Sequence, residues 1–289
     1  MKKFTQGTIM TGSILHARSC HHYWQGEERL SIKTFFSGRV FYAAGGGIHA
    51  VDPQSYLVLN YGQPYTIAID SASPVESFCL FFDPGLAEEV YHSMTSKPER
   101  LLALPEPPAR SAIHFFERIY PHDDLLTPAL LQLRTAVMLC PLEHDWLNEQ
   151  FHSIMQRLLQ VHFNVWREVE MLPAVRAATR EEIYRRLYRA KDYADALFDT
   201  PLTLHELADV AALSPNHFLR TFKQAFRQTP YQYIVSKRVE RAQVLLLHSD
   251  LSVTDICFSV GFESLGSFSW LFRRRVGLSP DRFRRQGRS

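Results

Sequence analysis

Asn216, His217, Arg220 and Lys223 fall within eight consecutive residues, at intervals of one, three and three. On a helix that spacing places them on a common face, with Gln224 beside them. The chemistry open to such a set is hydrogen bonding to base edges. An arginine can grip guanine bidentately and an asparagine adenine, each pair being worth roughly 1–3 kcal/mol of base discrimination. Asn216, His217 and Arg220 are therefore candidate base contacts, and Lys223 and Arg227 candidate phosphate contacts. The alternative for Lys223 and Arg227 is a merely solvated helix face. Competing chemistries are poorly represented. No paired carboxylates or nucleophile–base spacing stand out, and no His-x-His with a later Glu appears. The adjacent His21 and His22 would point to opposite faces of a strand, so both could not ligate one ion there. No metal, no cofactor and no enzymatic activity are expected.

The elements that must position this face can be read locally. Ser214 is a good N-cap, and Pro215 suits a first helical position, where its missing N–H costs nothing. Phe218, Phe222 and Phe226 point to the opposite, inward face. Upstream, Leu204, Leu207, Ala208 and Ala211 share one side of a shorter helix at i, i+3, i+4 and i+7. A short amphipathic helix, a tight turn and a second helix form the pattern of a helix-turn-helix.

The pattern is written twice. LTLHELADVAALSPNHFLRTFKQAFRQTPYQYI is followed by LSVTDICFSVGFESLGSFSWLFRRRVGLSPDRFR, with Phe218, Phe222 and Pro230 returning 50 positions later as Phe268, Phe272 and Pro280. Val253, Ile256, Cys257 and Val260 face inward in the second copy, together with Phe268, Leu271 and Phe272. Its outward face differs. Trp270 stands in the place of Arg220, leaving Ser267 and the flanking Glu263 and Ser264 as hydrogen-bonding groups. Ser267 and Trp270 are the base-contact candidates here, and Trp270 can either touch a thymine methyl or sugar or fold back onto the protein. Arg273 and Arg274 are the phosphate-contact candidates, with Arg275 adding charge. Thr203 and Ser252 sit at matched helix starts, where a hydroxyl and free N–H groups could hold a phosphate. Between the copies, Val235, Val239, Ala242 and Leu246 lie on one face of a helix. Such a rod would hold two reading heads for successive major grooves, roughly 34 Å apart.

GFESLGSFSWLFRRRVGLSP and LHELADVAALSPNHFLRTFK resemble the two-module DNA-binding domain of the AraC/XylS family of bacterial transcription regulators. The likeness covers roughly residues 180–286, with a weaker one N-terminally. It implies a cytoplasmic regulator, expected to be an effector-responsive activator of promoter DNA. Double-stranded promoter DNA, a small-molecule effector, RNA polymerase and a second copy of the chain are the expected partners. One departure is Arg227, which stands where the second copy has Gly277 and the family usually has Gly, so the exit turn of the first module is expected to be strained or rerouted.

The N-terminal half reads differently. Residues 30–82 alternate β-prone runs (LSIKTFF, RVFYA, HAV, SYLVLN, PYTIAI and VESFCLFF) with turn residues, which argues for a small sandwich or barrel. The family likeness implies a cupin-like barrel holding an effector. The fold class expected is thus α+β: a cupin-like β-barrel, a helical connector and an all-α domain with two helix-turn-helix modules. His22, Trp24, Phe36, Tyr42 and Tyr65 are candidates to line the barrel, though any of these rings could simply fill its core. Gly45-Gly46-Gly47 lacks a phosphate-loop context and reads as a turn.

Prolines between Lys97 and Pro108 mark a loop leaving the barrel. Beyond it Leu147, Phe151, Ile154, Leu158, Val161 and Val165 step by 4, 3, 4, 3 and 4. That rhythm makes one apolar seam, to be packed against the barrel and the helix near Leu130–Cys140 or against a twin subunit; the family likeness favours the twin. Thr179-Arg180-Glu181-Glu182 has the form of a capping box. The domains expected are 1–100 (sensor), 101–175 (connector and dimerisation helix) and 176–289 (DNA-binding). Within the last, the helix-turn-helices are placed at 203–226 and 252–276 and the linking helix at 231–248.

Charge follows the same division. From Arg180 onward there are 18 Lys/Arg against 12 Asp/Glu, and before it 14 against 18, within a chain of net charge +2. A basic C-terminal part on an acidic N-terminal part suits phosphate binding at one end. Cys20, Cys79, Cys140 and Cys257 are widely spaced and are expected as free thiols in a reducing compartment. MKKFTQGTIM has no apolar run after its lysines, and nowhere do roughly 20 apolar residues run together, so neither a signal peptide nor a membrane span is expected.

Overall fold

The computed structural model describes residues 9–11, 13–96, 112–139, 143–172 and 176–287. The chain separates into two compact units, 1–185 and 186–289. The expectations that fall on Cys140 and on the prolines of 97–108 lie outside the described residues.

The first unit is a nearly closed antiparallel barrel with helices packed on it. Its strands are β1 (Ile9–Thr11), β2 (Ile14–Glu27), β3 (Ser31–Phe35), β4 (Val40–Ala44), β5 (Gly47–Val51), β6 (Ser55–Leu59), β7 (Pro64–Phe81) and β8 (Ile119–Pro121). The sheet runs β1-β2-β7-β3-β6-β8, while β4 pairs with β7 and with β5. The long β7 is the seam of the barrel. It pairs with β2 along one edge and with β4 and then β3 along the other. PYTIAI and VESFCLF, separate runs in the sequence, are the two ends of this one strand. Pairing shifts between Ser19/His21 and Val75/Asp70, an irregularity that bends both strands and carries Pro74 without breaking them.

One face of these strands closes on a core of Phe35, Val40, Tyr42, Val51, Leu57, Leu59, Tyr65, Ile67 and Ile69. The other face meets helices. Glu76 of β7, 6% exposed, accepts hydrogen bonds from His16 Nε2 at 3.0 Å and from Arg18 Nη2 at 2.8 Å. It also accepts from Arg134 Nε, at 3.1 Å, on α2 (Thr127–Leu139). These donors hold its carboxyl down at about 2 against the desolvation of burial. One buried carboxylate thereby clamps a helix to the barrel.

α1 (Leu86–Thr95) and α2 pack with α3 (His144–Glu170). Here the dimer-seam expectation is corrected. Phe151, Ile154, Leu158, Val161 and Val165 are all buried within this unit, with Ile154 completely so, and Leu147 is half-buried. Phe151 meets Phe82, the residue that follows β7, edge-on at 5.5 Å. The apolar rhythm was real, but its own unit covers the stripe: α3 packs with α1 and α2 and meets Phe82 just past β7. An a/d seam in sequence identifies a stripe that must be buried and leaves the partner undefined.

α4 (Ala177–Leu197) begins earlier than its capping-box motif suggests. Thr179 already lies inside the helix, its N–H donating to the Arg176 carbonyl at 3.1 Å. The second unit continues through α5 (Leu204–Val210), α6 (Pro215–Phe226), α7 (Pro230–His248), α8 (Val253–Ser259), α9 (Leu265–Val276) and α10 (Pro280–Gly287). Cys20, Cys79 and Cys257 are free thiols. Among the described residues, no helix is long and apolar enough to cross a membrane.

One buried titratable group on α3 sets an acid limit to the first unit. Trp166 Nε1–H donates to His162 Nε2 at 2.9 Å, so the proton of the neutral ring is on Nδ1. Nδ1 has no partner among the described residues. Phe115 and Phe116 flank the ring at 5.0 and 6.1 Å. Burial, aided by Arg185 and opposed by Glu181, pushes His162 down to about 4 from 6.5. The unfolded chain therefore takes up a proton between pH 6.5 and 4 that the folded chain refuses. Stability is full above that window and is lost through it as pH falls, by up to about 3 kcal/mol. Denaturant midpoints measured from pH 7 to 4 are expected to fall in this chain and to flatten in His162→Phe.

Candidate nucleic-acid interface

Each module of the second unit is capped and turned by the residues its sequence supplies. Thr203 caps α5: its Oγ1 accepts from the Glu206 N–H at 3.2 Å, and Glu206 Oε2 accepts in return from the Thr203 N–H at 2.7 Å and hydroxyl at 2.8 Å. Ser252 repeats the device at α8, accepting from the Asp255 N–H at 3.0 Å and donating to its carboxylate at 2.6 Å. These partners alter the reading of both positions. The hydroxyls expected to meet phosphates are already held, and a carboxylate stands beside each where a phosphate would approach.

The tight turns need left-handed backbone. Gly261 supplies it after α8 at φ 90°, and a side chain there would meet the Asp199 carbonyl oxygen at 2.6 Å. Ala212 takes the same place in the first module at φ 49°. Arg227 closes α6 at φ 59°, ψ 13°, the same left-handed cap that Gly277 forms after α9 at φ 85°. Of the two outcomes expected for its exit turn, strain is the one found. The path matches that of Gly277, in a conformation that glycine adopts freely and arginine does not.

Phenylalanines anchor the reading helices. Phe218 and Phe222 are fully buried with their tilted rings 5.3 Å apart, and Phe226 lies 4.5 Å further on. Phe268 and Phe272 repeat this at 5.6 Å, and Phe283 of α10 closes the second core at 5.6 Å from Phe272. With that face fixed inward, Asn216, Arg220, Lys223 and Gln224 are exposed on α6 and His217 is half-buried beside them. Among the described residues, no side-chain hydrogen bond holds Asn216, Arg220 or Lys223 within the protein. On α9, Trp270 is 59% exposed, so it does not fold back into the core. The Arg274 guanidinium lies over its ring at 5.1 Å. Ser264 caps α9 and donates to the Ser267 hydroxyl at 2.9 Å. Arg273 and Arg274 are exposed at the end of the same helix.

Both modules are tied to α7. Tyr233 reaches the Asp195 carboxylate at 2.5 Å and packs on Phe222 at 5.9 Å. Val235, Val239, Ala242 and Leu246 join the core of Ile256, Phe268 and Phe272. Arg238 donates to the carbonyls of Phe198 at 2.6 Å and Thr200 at 2.8 Å, and its guanidinium lies 5.7 Å from the Phe262 ring centre. Arg275 donates to the Gln232 carbonyl at 3.2 Å and to the Ser236 hydroxyl. Arg275, seen in the sequence only as added charge, is thus a surface strut between α9 and α7. Nothing in the spacing of an Arg-Arg-Arg run separates the strut from its two neighbours.

A helix-turn-helix domain model matches residues 207–286. Over these residues the chain is similar to AraC-type DNA-binding domains. It is 36% identical over 97 residues to the bifunctional transcriptional activator/DNA repair enzyme AdaA of Bacillus subtilis, an alignment covering 34% of this chain and 46% of AdaA. It is 29% identical over 179 residues to the HTH-type transcriptional activator RhaS of Yersinia pestis, covering 60% of this chain and 63% of RhaS. Among solved structures, the DNA-binding domain of AdpA in complex with a target DNA is 31% identical, covering 36% of this chain and 93% of that domain with a TM-score of 0.35. The chain thus spans about half the length of AdaA and about three fifths of that of RhaS. The matched helix-turn-helix domain carries the exposed faces of α6 and α9 described above.

In the barrel, the five residues expected to line an effector site part company. Trp24 packs on Tyr65 at 4.5 Å and Tyr42 on Tyr65 at 5.8 Å, all against the inner core. His22, half-buried, is paired in register with Ile69 of that core. Phe36 is the correction: it meets Arg134 of α2 at 3.9 Å on the helix side. Every residue of β3 is buried on both faces, so the alternation that would have set its phase is absent. The residue missed is Lys33, 2% exposed, whose Nζ donates to the Tyr65 hydroxyl at 3.2 Å and lies 4.0 Å from the Phe81 ring centre. A lone Lys in a strand reads as solvated, and only the closure of the sheet reveals it as interior. Burial raises the Tyr42 and Tyr65 hydroxyls and the Cys79 thiol nearby, so all three stay protonated.

The left-handed turns give a direct test. Gly261→Ala is expected to cost at least about 2 kcal/mol, through strain and the Asp199 collision. Ala212→Gly and Arg227→Gly, relieving strain, should each gain about 0.5–1 kcal/mol. Urea denaturation followed by circular dichroism measures all three.

Proposed function

We propose that this protein is a transcription regulator, acting as an effector-responsive activator, whose two helix-turn-helix modules bind successive major grooves on one side of promoter DNA. The observation that carries the reading is the pair of phenylalanine-anchored helices, each with an outward face left for a partner and both tied to α7. Asn216, His217 and Arg220 are assigned to base edges. Ser267 and Trp270 take the equivalent place in the second module. Lys223, Arg227, Arg273 and Arg274 are assigned to phosphates; Thr203 and Ser252 are left out because their caps compete. On this reading module one supplies most hydrogen-bonded base discrimination and module two anchors the backbone.

The barrel is assigned to sensing a small molecule, with His22, Trp24, Tyr42, Tyr65 and Lys33 as its lining. Supporting this is a cation and two phenols gathered among apolar side chains, the composition of a site that orients a small ligand. Ligand and promoter affinity must then be coupled, since an effector shifts only an equilibrium whose two states it binds differently. A second reading, that the barrel serves only as an association module, is favoured by how fully Tyr42 and Tyr65 are packed into its core. Thermal-shift screening of the full chain separates the two. Self-association is assigned to the outward face of α2, where Leu131, Met138 and Leu139 are exposed, and sedimentation of the same preparations reads it out. RNA polymerase is the partner through which promoter occupancy would change transcription.

The division of labour between modules is tested on duplexes selected by the full chain from a random pool. Arg220→Ala is expected to lose roughly 1–3 kcal/mol of discrimination at one base pair. Trp270→Ala should lose less. A larger loss from Trp270→Ala would reverse the assignment, and failure to select any duplex would end the DNA-binding reading.

A further inference from the structure

The two recognition helices are built alike and finished differently. Asn216, His217 and Arg220 of α6 correspond, 50 residues on, to Gly266, Ser267 and Trp270 of α9. Every position that offers bidentate hydrogen bonding in the first module offers a single hydroxyl, a bare backbone or an indole in the second. The Ser267 hydroxyl is already paired with Ser264, and Leu265 beside it is exposed.

Two features of α9 run against what the protein alone would favour. A tryptophan 59% exposed leaves a large apolar surface in water. Gly266, near the start of the helix, weakens it relative to alanine. A Cβ built at Gly266 meets nothing within 4 Å, so no neighbour in the protein requires the glycine. A glycine that the fold does not need, one turn before an exposed indole, leaves clearance for something outside the chain. Arg274 stacks on the indole and Arg273 is exposed beside it, so the surroundings suit a polyanion.

We propose that the second module reads thymine by its 5-methyl group, with Trp270 as the apolar contact and Gly266 as the clearance that lets the groove edge come close to α9. The inference rests on the DNA-binding reading and adds a base class to it. In the major groove the thymine methyl is the one apolar group that distinguishes a base pair, and a face without bidentate donors can read little else. Arg274, stacked on the ring, is a positioning residue that fixes the indole's orientation.

The test uses the full chain and a duplex it selects, with each thymine replaced in turn by deoxyuridine, which removes only the methyl group. One or two replacements under the second module are expected to weaken binding about three- to fivefold, the worth of one buried methyl. The same replacements should leave Trp270→Ala unaffected. Gly266→Ala should raise the thermal midpoint while weakening binding, a combination that a purely structural glycine would not give. Duplex selection without any uridine effect, or an equal effect in Trp270→Ala, would overturn the proposal and leave the DNA-binding reading standing. No selected duplex at all would overturn both.

Discussion

The arrangement of the second unit depends on α7 being a wall common to two hydrophobic cores. Tyr233 closes the first against Phe222, and Val239, Ala242 and Leu246 form the floor of the second. A continuous helix is stiff on the scale of a DNA turn, so neither reading helix can rotate without breaking a core. Polar struts remove the remaining freedom. Arg275 returns from α9 to the first turns of α7, and Arg238 reaches the backbone after α4. Gly261 belongs to the same constraint, because the second turn lies so close to Asp199 that no side chain fits between them.

On that fixed frame the modules diverge only at their outward faces. Positions that set the cores stay apolar, with Phe218, Phe222 and Pro230 repeated unchanged as Phe268, Phe272 and Pro280, since close packing tolerates little change at its largest side chains. Positions facing outward are under no such restriction, and there Asn, His and Arg give way to Gly, Ser and Trp. Duplication has conserved the mechanics and separated the chemistry. One face can discriminate through directional hydrogen bonds, and the other through shape and apolar contact.

The first unit handles its polar groups by enclosing them. Glu76 is buried under three cationic or ring N–H donors, which turns a destabilising carboxylate into the clamp for α2. Lys33 is enclosed on the opposite face, among aromatic rings and the Tyr65 hydroxyl. An interior cation inside a small barrel is costly unless it is well partnered, and this makes the barrel interior, more than its surface, the chemically distinctive part of the unit.

The sequence alone determined the helix-turn-helix pair, its inward phenylalanines, the helix start at Ser214 and the outward set around Arg220. All of these follow from contacts three or four residues apart, whose geometry the helix itself dictates. It also determined that residues 30–82 are β-rich. Tertiary structure alone decided three further matters. It joined two short β runs into β7, because a strand can bend through an irregularity that sequence reads as a turn. It put Phe36 outside and Lys33 inside, because a strand buried on both faces carries no alternation. It covered the α3 seam within its own unit, against α1, α2 and Phe82, because periodicity shows that a stripe must be buried and is silent about the surface that buries it. Local spacing specifies an element and its apolar side; what that side meets depends on residues far away in the chain.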